Sequence, residues 1–175
     1  MNDKQQIHVR NRSIPDASRL CEHERKIFLC SEKLGSALCL ATLRGDNDEV
    51  ESLLQSGAPP DYQESPDGWT PLIYSIYYDN PAGRRLLLSH GADPMISDYF
   101  GKTTLMFAAI NGDVHLLTEL LTKGLPPFAA DCNGKTALDF AMAYHNHECA
   151  ALLKIIKGAE FDFPPEILPV KQDDK

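Results

Sequence analysis

The chain has 175 residues, enough for one hydrophobic core of ordinary size, and its 17 basic and 25 acidic side chains give a formal net charge of −8. Because no basic face is evident in the sequence, we exclude nucleic acid as the partner. The five cysteines have no disulfide-framework spacing and no apolar run of about 18 residues occurs, so we expect a cytoplasmic or nuclear protein that does not insert into a membrane.

The N-terminal part of the sequence divides into two segments. Residues 1–15 are polar, lack periodicity and contain no apolar stretch of the kind found in secretory signals, so they are predicted to form a disordered arm. Residues 16–34 follow as a predicted helix whose apolar side chains share one face, namely Leu20, Ile27, Phe28 and Leu34. We expect this helix to cap the N-terminal end of the units that follow.

A repeat with a period of 33 residues dominates the middle of the chain. The pattern Gly-x-Thr-x-Leu begins at Gly68, again at Gly101 and again at Gly134. A second glycine series, with spacings of 34, 33 and 34 residues, comprises Gly57, Gly91, Gly124 and Gly158. These glycines are typical of helix ends, where a left-handed backbone is needed.

The apolar residues between the glycines are spaced as they are in helices. In the third unit one set consists of Leu105, Ala108 and Ala109, and the set that follows Gly112 consists of Leu116, Leu117, Leu120 and Leu121. Each period is therefore predicted to contain two short helices with a tight break between them. Since helices of this length cannot bury an apolar face alone, neighbouring units must stack side by side.

These motifs resemble the ankyrin repeat. The strongest match runs from Asp98 to Asp113 and contains the Asp-x-x-Gly-x-Thr pattern, an Ala-Ala pair and the glycine before the second helix. The resemblance implies an all-α fold, an ankyrin-repeat solenoid of stacked helix-turn-helix units with short β-hairpin loops. It divides residues 35–158 into units of about 35–64, 65–97, 98–130 and 131–158, of which the first and second are divergent.

Two departures from the ankyrin pattern affect the prediction. The histidine that the family carries after the leucine is replaced in all four units, by Cys39, Ile73, Met106 and Asp139, so its usual hydrogen bonds between neighbouring loops are expected to be lost. The second unit has Asp79 in place of the glycine between its helices and Gly83 within its outer helix. We therefore predict that the second unit is the least regular.

Residues 159–175 follow the repeats as a tail that is rich in proline. Because proline prevents a long helix, we predict that this tail is extended. Its apolar side chains include Phe161, Phe163, Ile167 and Leu168. The tail either folds back over the last helices or acts as a linear motif for a second partner, and the sequence leaves both possibilities open.

Two groups of cysteine and histidine are candidate metal ligands: Cys21, His23, Cys30 and Cys39 in one, and His145, His147 and Cys149 in the other. Neither contains the closely spaced cysteine pair of zinc sites, and Cys39 and Cys149 occupy predicted core positions, so structural thiols are favoured. No base or oxyanion donor is placed near any thiol, and no phosphate-binding glycine motif occurs. We predict no cofactor, no metal and no enzymatic activity.

The remaining candidate site is the surface that the ankyrin resemblance implies. In that family the hairpin tips and the last turn of each inner helix form the concave face, which recognises protein partners. The matching positions are candidate partner-binding residues: Arg44, Trp69, Tyr77, Tyr78, Tyr99, Phe100, Lys102, Ile110, Asn111, Lys135 and Tyr144. Six of them are aromatic, and rings flanked by cations are typical of binding hot spots.

These positions predict a non-catalytic protein-interaction module or adaptor that binds a protein or peptide through the concave face. The acidic net charge favours a basic partner. One alternative is a subunit or regulator of a larger enzyme assembly that binds metal through Cys21, His23 and Cys30. A second is a structural role in a larger complex, with the outer helices making the contact. A third interpretation of the aromatic residues is that Tyr77, Tyr78 and Phe100 only fill space within the repeats.

Overall fold

Four pairs of helices follow one another in the computed structural model, which describes residues 22–158 and their side chains from residue 29 onward. The inner helices are α1 (Glu22–Arg44), α3 (Pro71–Tyr77), α5 (Thr104–Asn111) and α7 (Ala137–Ala143), and the outer helices are α2 (Asn47–Gln55), α4 (Pro81–Ser89), α6 (Val114–Thr122) and α8 (His147–Gly158). The segment predicted as a disordered arm, the start of the predicted cap and the C-terminal tail lie outside the described residues.

The helix pairs stack in register to form the predicted all-α solenoid. Each inner helix packs against its own outer helix, and the inner helices form a row in which α1 contacts α3, α3 contacts α5 and α5 contacts α7. The outer helices pack α2 against α4 and α6 against α8. Within residues 22–158 the extended structure is limited to one antiparallel bridge, between Glu64 and Trp69. No helix in this range is long and apolar enough to span a membrane.

The core runs through the stack between the two rows of helices. In α5 every residue from Thr104 to Ala109 is buried, because this helix has neighbours on both sides and an outer helix behind it. Leu105 is 1% exposed, and Phe107 is among the largest side chains that are completely buried. The helical spacing of the apolar residues therefore corresponds to burial, as predicted.

Threonine begins three of the inner helices, which explains the Gly-x-Thr-x-Leu pattern. The side chains of Thr70, Thr103 and Thr136 accept hydrogen bonds from the backbone N–H groups at the third helical positions that follow them. Capping of this kind stabilises a helix by about 1 kcal/mol. The glycine two positions earlier adopts a left-handed backbone in each hairpin, for example with φ of 78° at Gly101.

The helix α1 differs from the predicted division of the N-terminal region. Residues 22–44 form one continuous helix of 23 residues, so the predicted cap and the inner helix of the first unit are not separate elements. Gly35 lies inside this helix, and a β-carbon there would be 2.3 Å from the ring of Tyr62. Gly35 therefore allows Tyr62 to pack closely against α1. This tertiary contact lies at the predicted boundary between the cap and the first unit.

The second unit is regular, contrary to the prediction. Its helices have 7 and 9 residues, close to the 8 and 9 of the third unit, and Asp79 adopts the left-handed backbone of the missing glycine, with φ of 52°. Pro81 is tolerated because it occupies the first turn of α4, where its missing N–H group has no helical partner. At Gly83 a β-carbon would be 3.0 Å from Asn47 Oδ1, so this glycine permits close approach of α2 and α4.

Candidate functional site

The hairpin loops lie side by side and are joined by backbone hydrogen bonds. The N–H group of Tyr99 donates to the carbonyl of Asp67 at 2.9 Å, and the N–H group of Cys132 donates to the carbonyl of Phe100 at 2.8 Å. The Gln63 side chain adds a bond to the carbonyl of Ser97 at 3.0 Å. Neighbouring loops are therefore connected by backbone bonds and by Gln63, although the histidine of the family pattern is absent.

Two buried aspartates hold the shape of the third and fourth hairpins. Asp98 Oδ1 accepts hydrogen bonds from the N–H groups of Phe100 and Lys102, at 3.0 and 2.7 Å. Asp131 Oδ1 accepts equivalent bonds one period later, from Asn133 and Lys135. Burial raises the pKa of the Asp98 carboxyl, and the two backbone donors partly oppose that effect. These bonds set the backbone that carries Phe100 and Lys102.

Asparagine side chains tie the ends of the inner helices together. The amide of Asn111 donates to the carbonyls of Ile76 and Tyr77 at the end of α3, and the amide of Asn146 donates to the carbonyls of Ala109 and Ile110 at 2.8 and 2.7 Å. A partner-binding role for Asn111 stays a prediction, whereas its contacts show that it joins two units. Asn146 was not singled out from the sequence, although it lies one period after Asp113.

Five aromatic rings form a continuous cluster, four on the second unit and Phe107 on α5 of the third. The Trp69 ring centroid is 5.2 Å from that of Tyr74, 5.0 Å from that of Tyr77 and 5.2 Å from that of Phe107. Tyr77 in turn lies 5.2 Å from Tyr78. The structure thus brings together the predicted site residues Trp69, Tyr77 and Tyr78. Phe107 belongs to the core, so the cluster extends from the interior to the surface.

The exposure of the cluster bears on the idea that its rings only fill space. Tyr77 is 42% exposed and Tyr78 is 51% exposed, so about half of each side chain is in contact with solvent. Trp69 is half-buried and packs against the core. Trp69 therefore has a packing role, while the two tyrosines present free aromatic surface.

Two residues of this surface, Tyr74 and Glu64, were not identified from the sequence. Tyr74 lies one helical turn before Tyr78, and the two rings are nearly parallel, at an angle of 7°. Burial raises the pKa of the Tyr74 hydroxyl, with further contributions from Cys39 and Glu64. The i, i+4 spacing of the two tyrosines and the position of Glu64 at the start of the hairpin are the signals in the sequence that could have identified them.

The third hairpin contributes a second aromatic group beside this cluster. The ring of Tyr99 packs over Gly68, where a β-carbon would lie 2.3 Å from the ring, and Tyr99 is 53% exposed. Phe100 is 46% exposed, and the Lys102 ammonium group lies 5.7 Å from its ring centroid, within the range of a cation–π interaction.

The remaining predicted residues lie at other points along the stack. Arg44 ends α1 and is exposed, and Lys135 is exposed on the fourth hairpin. Ile110 is half-buried against the core. Tyr144 caps α7 and is 56% exposed, but α5 lies between α7 and α3, so one unit separates Tyr144 from Tyr77 and Tyr78.

The sequence matches the family model described as ankyrin repeats (three copies), over residues 8–98 and 94–163. The chain belongs to the ankyrin-repeat family. As a family, ankyrin repeats are protein-interaction modules and generally carry no enzymatic activity of their own.

Curated relatives share the repeats with this chain. The human 2-5A-dependent ribonuclease is 40% identical over 79 residues, which is 45% of this chain and 11% of that protein. Inversin from Canis lupus familiaris is 28% identical over 137 residues, or 78% of this chain and 13% of inversin. The ankyrin repeat and LEM domain-containing protein 1 homolog of Caenorhabditis elegans is 42% identical over 64 residues, or 37% and 9%. The chain thus spans about a tenth of the length of these relatives.

Two cysteines of the ankyrin units lie in the core. Cys39 and Cys149 are buried, and burial raises the pKa of both, with the nearby carboxylate of Glu64 acting in the same direction on Cys39. A nucleophilic or metal-binding thiol needs the opposite shift. No group of three or more His, Cys, Asp or Glu side chains in the described part of the chain is arranged to hold a metal ion. Cys21 and the His23 side chain lie outside that part.

Proposed function

We propose that this ankyrin-repeat protein is a non-catalytic adaptor that recognises a protein or peptide partner through the face formed by the hairpin tips and the inner-helix ends. The observation that supports this proposal is the exposure of Tyr77, Tyr78, Tyr99 and Phe100, each between 42% and 53%, on adjacent units. Large exposed rings on one face are the usual composition of a binding hot spot. We propose that the protein acts in the cytoplasm or nucleus, as part of a larger complex.

The backbone beneath these rings is held before any partner binds. The hydrogen bonds between Tyr99 and Asp67, and between Asn111 and the end of α3, connect the second and third units on both sides of the aromatic group. Ordering a flexible loop costs affinity, and a surface that is already ordered avoids that cost. A ring of this size buries about 150–250 Å² when fully covered, so each half-exposed ring can contribute about 2 kcal/mol to binding.

The test compares variants of this face with variants of the outer helices. Tyr77→Ala and Tyr78→Ala are each expected to weaken binding to the partner recovered by affinity purification by about thirtyfold, or about 2 kcal/mol. The matched controls are Glu51→Ala on α2 and Glu119→Ala on α6, which should leave the affinity unchanged. Calorimetric titration of each purified variant gives the affinity, and a thermal melt of the same sample reports folding.

The outcome also decides between this face and the alternatives. Loss of affinity in the outer-helix variants alone would place the contact on the convex side and overturn the proposal. Unfolding together with loss of binding in both tyrosine variants would show that the rings only pack within the repeats. Trp69 is unsuitable for this comparison because it packs against Phe107 in the core.

A further inference from the structure

Two carboxylates flank the aromatic cluster of the second unit. The N–H group of Glu64 donates to the carbonyl of Trp69 at 2.9 Å, and the two residues form the antiparallel bridge at the base of the second hairpin. Side chains directly opposite each other in such a pair stand on the same face, with β-carbons about 4.5–5.5 Å apart. Asp67 lies in the turn between them and is exposed. The bridge therefore places Glu64 beside Trp69 in the hairpin.

The first unit fixes the position of the Glu64 carboxylate. The Ser36 hydroxyl donates to Glu64 Oε1 at 3.2 Å, and the buried thiol of Cys39, one turn later on the same helix, is near enough for Glu64 to raise its pKa. Glu64 is half-buried, which limits its access to water. An ionised carboxylate has about four acceptor positions, so the Ser36 hydroxyl leaves room for further donors.

The negative charge at this point is not neutralised by the rest of the described chain. Neither Glu64 nor Asp67 forms an ion pair with any residue between 29 and 158. The effect of Glu64 reaches two neighbouring tyrosines, since it is one of the causes, after burial, that raise the pKa of Tyr62 and Tyr74. A half-buried carboxylate that has no cation beside it is stabilised by a positive group that approaches it.

The rings offer the second half of a site for a cation. Positive groups are attracted to the faces of Trp and Tyr rings within about 6 Å of the centroid. Trp69, Tyr74 and Tyr78 lie within one connected cluster, with centroid distances of 5.2 and 6.4 Å between successive rings. On the next hairpin the Lys102 ammonium group already lies over the ring of Phe100. Within the described residues no such cation lies over these three rings.

From this juxtaposition we propose that Glu64, Asp67, Trp69, Tyr74 and Tyr78 form a pocket for one arginine or lysine side chain of the partner. The aliphatic part of that side chain and its positive group lie over the rings, and its N–H groups pair with the two carboxylates. The pocket rests on the proposed function, because it assigns a chemical class to the partner of the same face.

A peptide titration tests the pocket without knowledge of the partner. The probe is a short glycine-based peptide with blocked ends and arginine side chains, and the reporter is the fluorescence of Trp69, which is the only tryptophan in the sequence. The matched peptide carries citrulline, which is neutral and nearly the same shape as arginine. We expect saturable binding of the arginine peptide, weakened by added salt, and binding of the citrulline peptide that is weaker by about tenfold or more.

The variant that removes the charge is the double substitution Glu64→Gln and Asp67→Asn. The bond from the Ser36 hydroxyl does not require a charged acceptor, since the amide oxygen of the glutamine side chain can also accept it. This variant is expected to bind the arginine peptide about tenfold less tightly and to melt at the same temperature as the parent. The control removes two charges from the outer helices, Glu51→Gln and Glu119→Gln, and should bind as the parent does.

Three outcomes would overturn the pocket: no binding of the arginine peptide, equal binding of the arginine and citrulline peptides, or equal effects of the two double substitutions. Failure of the pocket differs from failure of the proposed function. If only the pocket is wrong, the purified partner loses affinity for Tyr78→Ala but binds the Glu64→Gln, Asp67→Asn variant unchanged. If the proposed function is wrong, the partner binds Tyr78→Ala unchanged.

Discussion

The break between the inner and outer helices allows backbone strain to be separated from packing. Gly45 and Gly112 occupy this position in the first and third units, with φ of 74° and 76°. A β-carbon at Gly45 would have no heavy atom within 4 Å, whereas one at Gly112 would lie 2.7 Å from Asn146 Oδ1. The same substitution, glycine to alanine, therefore meets different surroundings at two equivalent positions.

The expected cost follows from these distances. A left-handed backbone costs an L-residue about 1–2 kcal/mol, and the lower entropy of the unfolded alanine variant returns about 0.5–1 kcal/mol. Gly45→Ala should therefore destabilise by about 1 kcal/mol. Gly112→Ala also displaces the Asn146 amide from the carbonyls of Ala109 and Ile110. Since each bond contributes about 0.5–1.5 kcal/mol, the total at Gly112 should be about 2–4 kcal/mol.

The assay is urea unfolding followed by far-UV circular dichroism, with a thermal melt in which each kcal/mol corresponds to about 2–4 °C. A double-mutant cycle supplies the control, because Gly112→Ala should cost only about 1 kcal/mol when Asn146 is already alanine. The reverse change, Asp79→Gly, should stabilise by about 0.5–1 kcal/mol, since Asp79 has φ of 52°. If Gly112→Ala costs no more than Gly45→Ala, the Asn146 side chain does not tie α7 and α8 to α5 as described.

Two further substitutions test the register and the electrostatics of the repeats. Leu105→Ala removes a side chain that is 1% exposed, so it should destabilise by about 2–5 kcal/mol in urea unfolding, whereas Lys102→Ala and Lys135→Ala should each change stability by less than about 0.5 kcal/mol. Hydrogen bonds from the backbone N–H and hydroxyl of Thr136 hold the pKa of Asp139 below its ordinary value. Ionised Asp139 therefore stabilises the fold above the ordinary aspartate pKa, and this contribution is lost as the pH falls through the lower folded-state pKa. The free energy of unfolding of the Asp139→Asn variant should accordingly be lower than that of the parent by roughly 0.3 kcal/mol at neutral pH. The difference should disappear at about pH 2. If the difference is as large at that pH as at neutral pH, the hydrogen bonds from Thr136 do not favour the ionised form of Asp139.

The repeat architecture could be predicted because its signals are local. Glycine at the left-handed positions, threonine at the helix starts and apolar residues at helical spacing each act within a few residues, so one unit can be read without knowledge of the next. The three in-phase copies then required stacking. The choice of Tyr77, Tyr78, Tyr99 and Phe100 came from the ankyrin resemblance, and the structure shows that all four side chains are exposed.

Contacts between residues that lie about one repeat apart in the sequence were decided only by the tertiary structure. The Asn111 amide bonds to Ile76, 35 positions earlier, and Ser36 bonds to Glu64 across 28 positions. Tyr62 packs against Gly35, and Trp69 is half-buried, with its ring centroid 5.2 Å from that of Phe107. Such contacts depend on the spacing and rotation of neighbouring units. Local patterns determine that units stack, but the direction of each side chain across the junction is set by the packing of both units together.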